Sequence, residues 1–186
     1  MSTKNNIATW NIIEKFFYDN PQVLVKHHID SYNDFFRTGM KSVFKEKNPI
    51  ILQKEQNPDT NEFKYRCELY LGGKDGSKIY YGKPVIYDDN REHFMYPNEA
   101  RLRNMTYGIT IHYDLEVDFF ILDESDGKVK QSTELYSKLF LGRFPIMLQS
   151  DLCILNGLNR EVRYNMGECR NDYGGYFIID GKEKVI

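Results

Sequence analysis

Phe63-Lys64-Tyr65-Arg66-Cys67-Glu68-Leu69 alternates apolar and polar residues without a break. Successive side chains of a strand point to opposite faces, so this heptapeptide predicts a strand with one buried and one wet face. Strand signals continue on either side of it. Ile50–Lys54 and Lys78–Tyr87 read as strands, divided from Phe63–Leu71 by Asn57-Pro58-Asp59 and by the glycine-rich run Gly72-Gly73-Lys74-Asp75-Gly76. Tyr107–Leu122 is long and rich in β-branched and aromatic residues, Asp123–Gly127 reads as a turn, and Val129–Leu141 is expected to pair back. Tyr176-Phe177-Ile178-Ile179 and Lys182–Ile186 flank Asp180-Gly181, a strong two-residue hairpin signal.

Upstream of Ile50 the period changes. Ile7, Trp10, Ile13 and Phe17 fall at helical spacing until Asn20-Pro21 stops the run. Val25, Ile29, Tyr32, Phe36, Met40 and Phe44 recur every three or four residues and predict a second helix that begins after Pro21 and ends at Asn48-Pro49. Such a stripe is ordinarily core, and Gly39 weakens the helix slightly. The expected fold is α+β: helices over about residues 7–47, then a mixed, largely antiparallel sheet over about 50–186, incomplete at its C-terminal end. A strand running out at Ile186 without a polar tail suggests a piece of something longer.

Composition narrows the function. The 186 residues carry 25 basic and 27 acidic groups, a formal charge of −2. A free-standing module that holds DNA by phosphate neutralisation alone usually shows a basic footprint, which is missing here. Apolar runs fall short of the roughly 18 residues of a membrane span, and the polar start Met1–Asn6 leads into no signal-peptide core. Cys67, Cys153 and Cys169 are odd in number and lack Cys-x-x-Cys spacing, so neither a disulfide framework nor a four-ligand zinc site is expected. A reducing intracellular compartment fits. Asn occurs 15 times, Ile 16 times and Ala only twice, a bias typical of AT-rich coding.

Candidate chemistry is thin. His27 and His28 are neighbours and cannot chelate as an i, i+4 pair, and His93 and His112 stand alone in sequence. Nothing around Cys153 or Cys169 pairs either with His112 as a nucleophile and base would require. Asp114, Glu116 and Asp118 share one strand face that could hold a divalent cation but reads as solvated. Gly72–Lys78 lacks the spacer of a phosphate loop and is read as a hairpin turn. Arg101, Arg103 and Arg143 lie near aromatic residues and could contact phosphate or fork onto carboxylates. No catalytic residue and no metal site is expected within the chain.

Four strings in order carry a resemblance. They are His28-Ile29-Asp30-Ser31-Tyr32-Asn33-Asp34-Phe35; Tyr96-Pro97-Asn98-Glu99-Ala100-Arg101-Leu102-Arg103-Asn104-Met105-Thr106-Tyr107; Leu141-Gly142-Arg143-Phe144-Pro145-Ile146-Met147-Leu148-Gln149-Ser150; and Gly167-Glu168-Cys169 with Gly174-Gly175-Tyr176 through Ile186. Together they resemble the N-terminal region of the second-largest, β-type subunit of multisubunit DNA-directed RNA polymerases, in a eukaryote-like version similar to those of large DNA viruses such as mimivirus relatives. The resemblance implies the first part of the protrusion domain over residues 1–186, on the wall of the DNA cleft. It implies nucleotidyl transfer by the assembled enzyme, with magnesium held by aspartates of the largest subunit. It implies the largest and smaller polymerase subunits, template DNA, RNA and an initiation factor as partners, and no membrane. The nucleus, a viral factory or a virion is the implied location, and a cloned piece, a split gene or a truncated product the implied origin of the short chain. The alternative is a stand-alone protrusion-like module that regulates transcription without catalysis.

The matched strings also support expectations from the residues themselves. Gly174-Gly175 supplies permissive backbone. Pro145 suits the first residue of a strand over Ile146–Leu148. Arg101 and Arg103 share a face if extended, one pairing with Glu99 or Glu168 and the other open to the cleft. Arg101, Arg103, Arg143, Lys182 and Lys184 are the candidate nucleic-acid contacts.

Overall fold

The longer helices lie before residue 48 and the strands after it, as expected, with two six-residue helices set among the strands. The computed structural model describes residues 2–58, 62–88, 91–123 and 127–185, with side chains from Thr9 onward. The elements are α1 (Ser2–Asp19), α2 (Lys26–Asp34), a π-helical segment (Phe35–Gly39), α3 (Met40–Lys47), β1 (Ile50–Gln56), β2 (Phe63–Leu71), β3 (Ile79–Tyr81), β4 (Val85–Asp88), β5 (Arg91–Phe94), α4 (Pro97–Leu102), β6 (Gly108–Leu122), β7 (Val129–Pro145), α5 (Arg160–Asn165), β8 (Phe177–Ile179) and β9 (Lys182–Lys184). The architecture is α+β and every registered strand pair is antiparallel, as expected. Contacts gather into two units. One holds residues 1–34, 85–107 and 145–186; the other holds 35–84 and 108–144.

In the second unit the sheet is built on β6. β2 pairs with residues 115–121 of β6 and β3 with residues 111–113, while β1 flanks β2 and β7 also pairs with β6. β2 and β3 do not pair with each other, so Gly72–Lys78 is not the hairpin turn expected from its glycines. It is an excursion that leaves and rejoins β6 at one residue: Gly72 N–H donates to Asp114 O (2.8 Å), and Asp114 N–H donates to Lys78 O (3.1 Å). The loop is pinned to the end of α3. The Asn48 side chain donates to Leu71 O and accepts from Leu71 N–H, both at 2.8 Å. A Cβ on Gly76 would meet Lys45 N at 3.1 Å and Lys41 O at 3.2 Å, so this close approach requires glycine.

The strand expected over Lys78–Tyr87 is two strands. Pro84 offers no N–H to a ladder, β3 ends at Tyr81, and β4 instead forms a hairpin with β5 in the first unit. The single helix expected after Pro21 is likewise divided. Residues 21–25 form a turn, α2 follows, and Phe35–Gly39 is π-helical. Phe36, Met40 and Phe44 are spaced by four, and each four-residue step overshoots a 3.6-residue turn by about 40°. The wider π turn relieves that drift, and all three residues are buried. Gly39 fits because a Cβ there would lie 3.0 Å from the Phe35 ring.

The alternating face of β2 is only half covered. Ile50, Leu69 and Val117 form one cross-strand row; Leu52, Cys67 and Phe119 the next; Lys54, Tyr65 and Ile121 the third. Val117 is 3 % exposed, but Leu52 is 57 % and Ile121 44 % exposed. Ile50, in the same row as Val117, is 40 % exposed, and no residue of β2 is fully buried, so in these rows burial is confined to β6 at Val117. α1 is helical as expected, yet Trp10, Ile13 and Phe17 are exposed.

The first unit is organised by the β8–β9 hairpin. Asp180 and Gly181 have φ of 50° and 72°, the double left-handed turn that an Asp-Gly pair favours. Gly181 N–H donates to Met105 O at 3.0 Å, and Tyr107 N–H to Ile178 O at 3.0 Å. Phe177 packs with Ile29 and Met147, flanked by Val25, Tyr32 and Ile179. Full burial of a side chain such as Phe177 contributes about 1.5–3 kcal/mol. Pro145 ends β7 rather than opening a strand. Ile146–Leu148 follow as buried chain that turns at Leu148, with Met147 in an isolated bridge to Phe177 and Leu148 N–H bonded to Tyr176 O. The turn expected at Asn57-Pro58-Asp59 has Asp59 outside the described residues, although Asn57 N–H reaches Glu62 O at 2.8 Å. Of the Asp123–Gly127 turn, residues 124–126 lie outside them, as does Ile186.

Candidate nucleic-acid interface

Arg101 and Arg103 are placed by α4, a short helix that begins with Pro97 at its first position and carries Glu99 in its first turn. Pro at that position and an acidic first turn are legible helix-start signals. Because the segment is helical, the two arginines do not share a face as an extended chain would have them. They serve separate carboxylate clusters.

The Arg101 guanidinium donates through Nη1 to Glu168 Oε2 (2.8 Å), through Nε to Glu183 Oε1 (2.8 Å) and through Nη2 to the Tyr176 hydroxyl (2.7 Å). Tyr176 passes its own proton toward Asp172 Oδ2 at 2.5 Å. The Arg101 side chain is 20 % exposed and that of Glu168 only 2 %. Burial alone would lower the Arg101 pKa, but Glu168 and its neighbours hold it well above the ordinary guanidinium value. Burial pushes the Glu168 carboxyl up, and Arg101 opposes that rise. Burial and the bond to Asp172 raise the Tyr176 phenol. The pairing of Arg101 with Glu168 was among the sequence expectations; Asp172, Tyr176 and Glu183 were not. The Asp180-Gly181 turn is the signal for Glu183, since it fixes where β9 returns.

Arg103 forks onto Asp88, Nη1 to Oδ2 at 2.6 Å and Nη2 to Oδ1 at 2.9 Å, and also reaches Glu99 at 3.0 Å. These bonds hold the Asp88 carboxyl below its usual range. His93 Nε2 lies 3.3 Å from Glu99 Oε1. Asp88, His93 and Glu99 thus bring ligand-type atoms within 4.8 Å of one another. The Arg103 guanidinium already binds both carboxylates, so the group is a satisfied ion-pair cluster.

Arg143 on β7 and Lys182 and Lys184 on β9 are exposed and make no ion pair among the described residues. Lys182 and Lys184 lie on the strand that brings Glu183 to Arg101. Arg143 belongs to the other unit. The carboxylate face of β6 is also spent internally. Lys74 Nζ meets Glu116 at 3.2 Å and Asp118 at 3.1 Å, Thr133 donates to Asp118 at 2.6 Å, and Asp114 accepts from the Tyr80 hydroxyl and the Lys138 amide. No helix among the described residues is long and apolar enough to cross a membrane.

Comparison with known proteins agrees with the four strings. The sequence profile of the RNA polymerase beta subunit family matches residues 23–186. The chain is 32 % identical over 187 residues to DNA-directed RNA polymerase II subunit RPB2 of Schizosaccharomyces pombe, covering 95 % of this chain and 15 % of that protein. It is 36 % identical over 180 residues to the same subunit of Encephalitozoon cuniculi, covering 96 % and 15 %. It is 35 % identical over 182 residues to DNA-directed RNA polymerase subunit Rpo2N of Methanothermobacter thermautotrophicus, covering 96 % and 30 %. The chain therefore spans between about a seventh and a third of these relatives.

Proposed function

Because the chain belongs to the RNA polymerase beta subunit family, we propose that it forms the N-terminal segment of a second-largest polymerase subunit and builds part of the protrusion on the DNA cleft wall. The observation that carries this reading is the match over almost the whole chain to RNA polymerase subunits of a fungus, a microsporidian and an archaeon. The residues fit a scaffold. The described carboxylates of the best-formed clusters are paired with Arg101, Arg103 or Lys74, which leaves them poor ligands for catalytic magnesium. In the assembled enzyme the metal would be held by the largest subunit, where it stabilises the in-line transfer of a nucleotidyl group to the RNA end.

The largest and smaller polymerase subunits are the proposed partners, with template DNA and RNA met through the complex and an initiation factor as a further candidate. Arg143, Lys182 and Lys184 offer exposed charge to phosphate. Arg101 and Arg103 would contribute by holding the hairpin and α4 in place. The Asn- and Ile-rich, Ala-poor composition supports an AT-rich source such as a large DNA virus, and hence transcription in a nucleus, viral factory or virion. Affinity purification of the tagged chain from its native source tests the assignment. Recovery of a largest polymerase subunit, with template-dependent RNA synthesis in the complex and none from the chain alone, is expected. A chain recovered without polymerase subunits would overturn the reading.

A further inference from the structure

Asn156-Gly157 is the single Asn-Gly pair in the sequence, and the fold leaves it chemically unprotected. Both residues are exposed, in a turn between buried Leu155 and half-buried Leu158. The turn is closed by Asn156 N–H to Cys153 O (3.0 Å) and Leu158 N–H to Leu155 O (3.2 Å). Those bonds use the amides on either side of Gly157 and leave its own amide without an intramolecular acceptor among the described residues. The Asn156 carboxamide has no partner there either. A Cβ at position 157 would meet nothing within 4 Å, so the turn is uncrowded on that side.

We infer that Asn156 is a site of spontaneous, fold-permitted deamidation. The Gly157 amide nitrogen attacks Asn156 Cγ and forms a five-membered succinimide, and the bond from Cγ to the side-chain nitrogen breaks. Ammonia leaves, taking up the proton that the amide gives up. Water then opens the ring. Cleavage of the Cγ–N bond yields aspartate, and cleavage of the main-chain carbonyl–N bond yields isoaspartate. The net change is NH replaced by O, with no oxidant or reductant. Glycine favours the ring because no side chain hinders the attacking nitrogen.

The same ring can form at Asp-Gly, and two of the three Asp-Gly pairs in the sequence, Asp75-Gly76 and Asp180-Gly181, provide an internal contrast. Gly76 N–H donates to Gly73 O at 3.1 Å, and Gly181 N–H donates to Met105 O at 3.0 Å. Reaction at either must wait for local opening. At Asn156 the attacking amide has no such bond to break among the described residues. Its isoaspartate product lengthens the main chain by one carbon between Leu155 and Leu158 and adds a negative charge, so the turn that seats Leu155 is altered with age.

Prolonged incubation of the chain at mildly alkaline pH, folded and in urea, followed by peptide mass spectrometry, tests this. Conversion at Asn156 is expected to proceed at the same order of rate in both conditions. Isomerisation at Asp180 is expected to be at least about tenfold slower when folded, because it depends on opening. Asn156→Gln should remove the product without changing Asp180. Slow conversion at Asn156 in the folded chain, rising to the rate in urea only on unfolding, would overturn the inference. So would conversion spread equally over the other asparagines.

Discussion

At the residue scale, Arg101 and Arg103 show how burial sets the value of an ion pair. Two arginines one residue apart on either side of Leu102 have the same chemistry, yet one faces Glu168 in a nearly closed setting and the other faces Asp88 near solvent. Removing one partner of a buried pair leaves a charge without compensation, whereas exposed pairs contribute little. Arg101→Met is expected to destabilise the chain by about 3 kcal/mol. Adding Glu168→Gln should restore part of that loss, since the stranded charge is then gone. Arg103→Met should cost clearly less than Arg101→Met, because its ion pairs lie near solvent. Urea denaturation of the parent and the three variants reads both, and equal losses at the two arginines would show that burial does not separate them. Sequence pattern names both arginines and the partners Glu99 and Glu168. It cannot tell which arginine is buried, because Glu183 and Tyr176 arrive from residues more than seventy positions away.

At the element scale, legibility followed the range of the interaction. The β8–β9 hairpin was readable because Asp180-Gly181 needs only its own backbone to turn. β2 was readable with its bounds, because alternation is local. The π segment and the loop at Gly72–Lys78 were not, because each is decided by what packs against it; the break at Pro84 is a local signal that a continuous strand over Lys78–Tyr87 overlooks. Glycine substitutions separate the two kinds of constraint. Gly157 and Gly181 have φ of 75° and 72°, so alanine pays the same backbone strain at both, of order 1–2 kcal/mol. At Gly157 the new Cβ meets open space, whereas at Gly181 it would lie 2.8 Å from Asn104 Cα and 2.9 Å from Arg101 O. Gly181→Ala should therefore lower stability clearly more than Gly157→Ala, and should also weaken the docking of β9 that brings Glu183 to Arg101. Thermal melts compare them directly. Equal losses would mean that the hairpin shifts away from α4 at no cost.

At the scale of the whole molecule, charge is balanced rather than displayed. With a net charge of −2, affinity of the chain for duplex DNA is expected to be weak and its salt dependence shallow. Replacing Arg143, Lys182 and Lys184 together by Glu should reduce the binding that remains and flatten the salt slope further, as read by fluorescence anisotropy. An unchanged slope would place the phosphate contacts elsewhere. The same balance fixes the response to acid. Asp75, Asp88, Asp114 and Asp118 have folded-state pKa values below their ordinary ones, through bonds to Ser77, Arg103, Lys138 and Thr133 respectively. Burial opposes this at Glu99, but Arg103 and His93 bring it below its usual value too. Each such group adds stability that is present above its unfolded pKa and lost as pH falls through its folded one. Glu168 works the other way: its folded pKa is raised, so protonation at acid pH relieves a cost rather than removing a gain. Five lowered groups against one raised group give a net loss on acidification. The urea midpoint should therefore stay high near neutrality and fall increasingly below about pH 4, the ordinary carboxylate value. The Glu168→Gln chain should fall more steeply than the parent over that range, because it lacks the one opposing group. A midpoint that held or rose into acid would show that the ion pairs of Arg103 and Lys74 contribute nothing to the folded state.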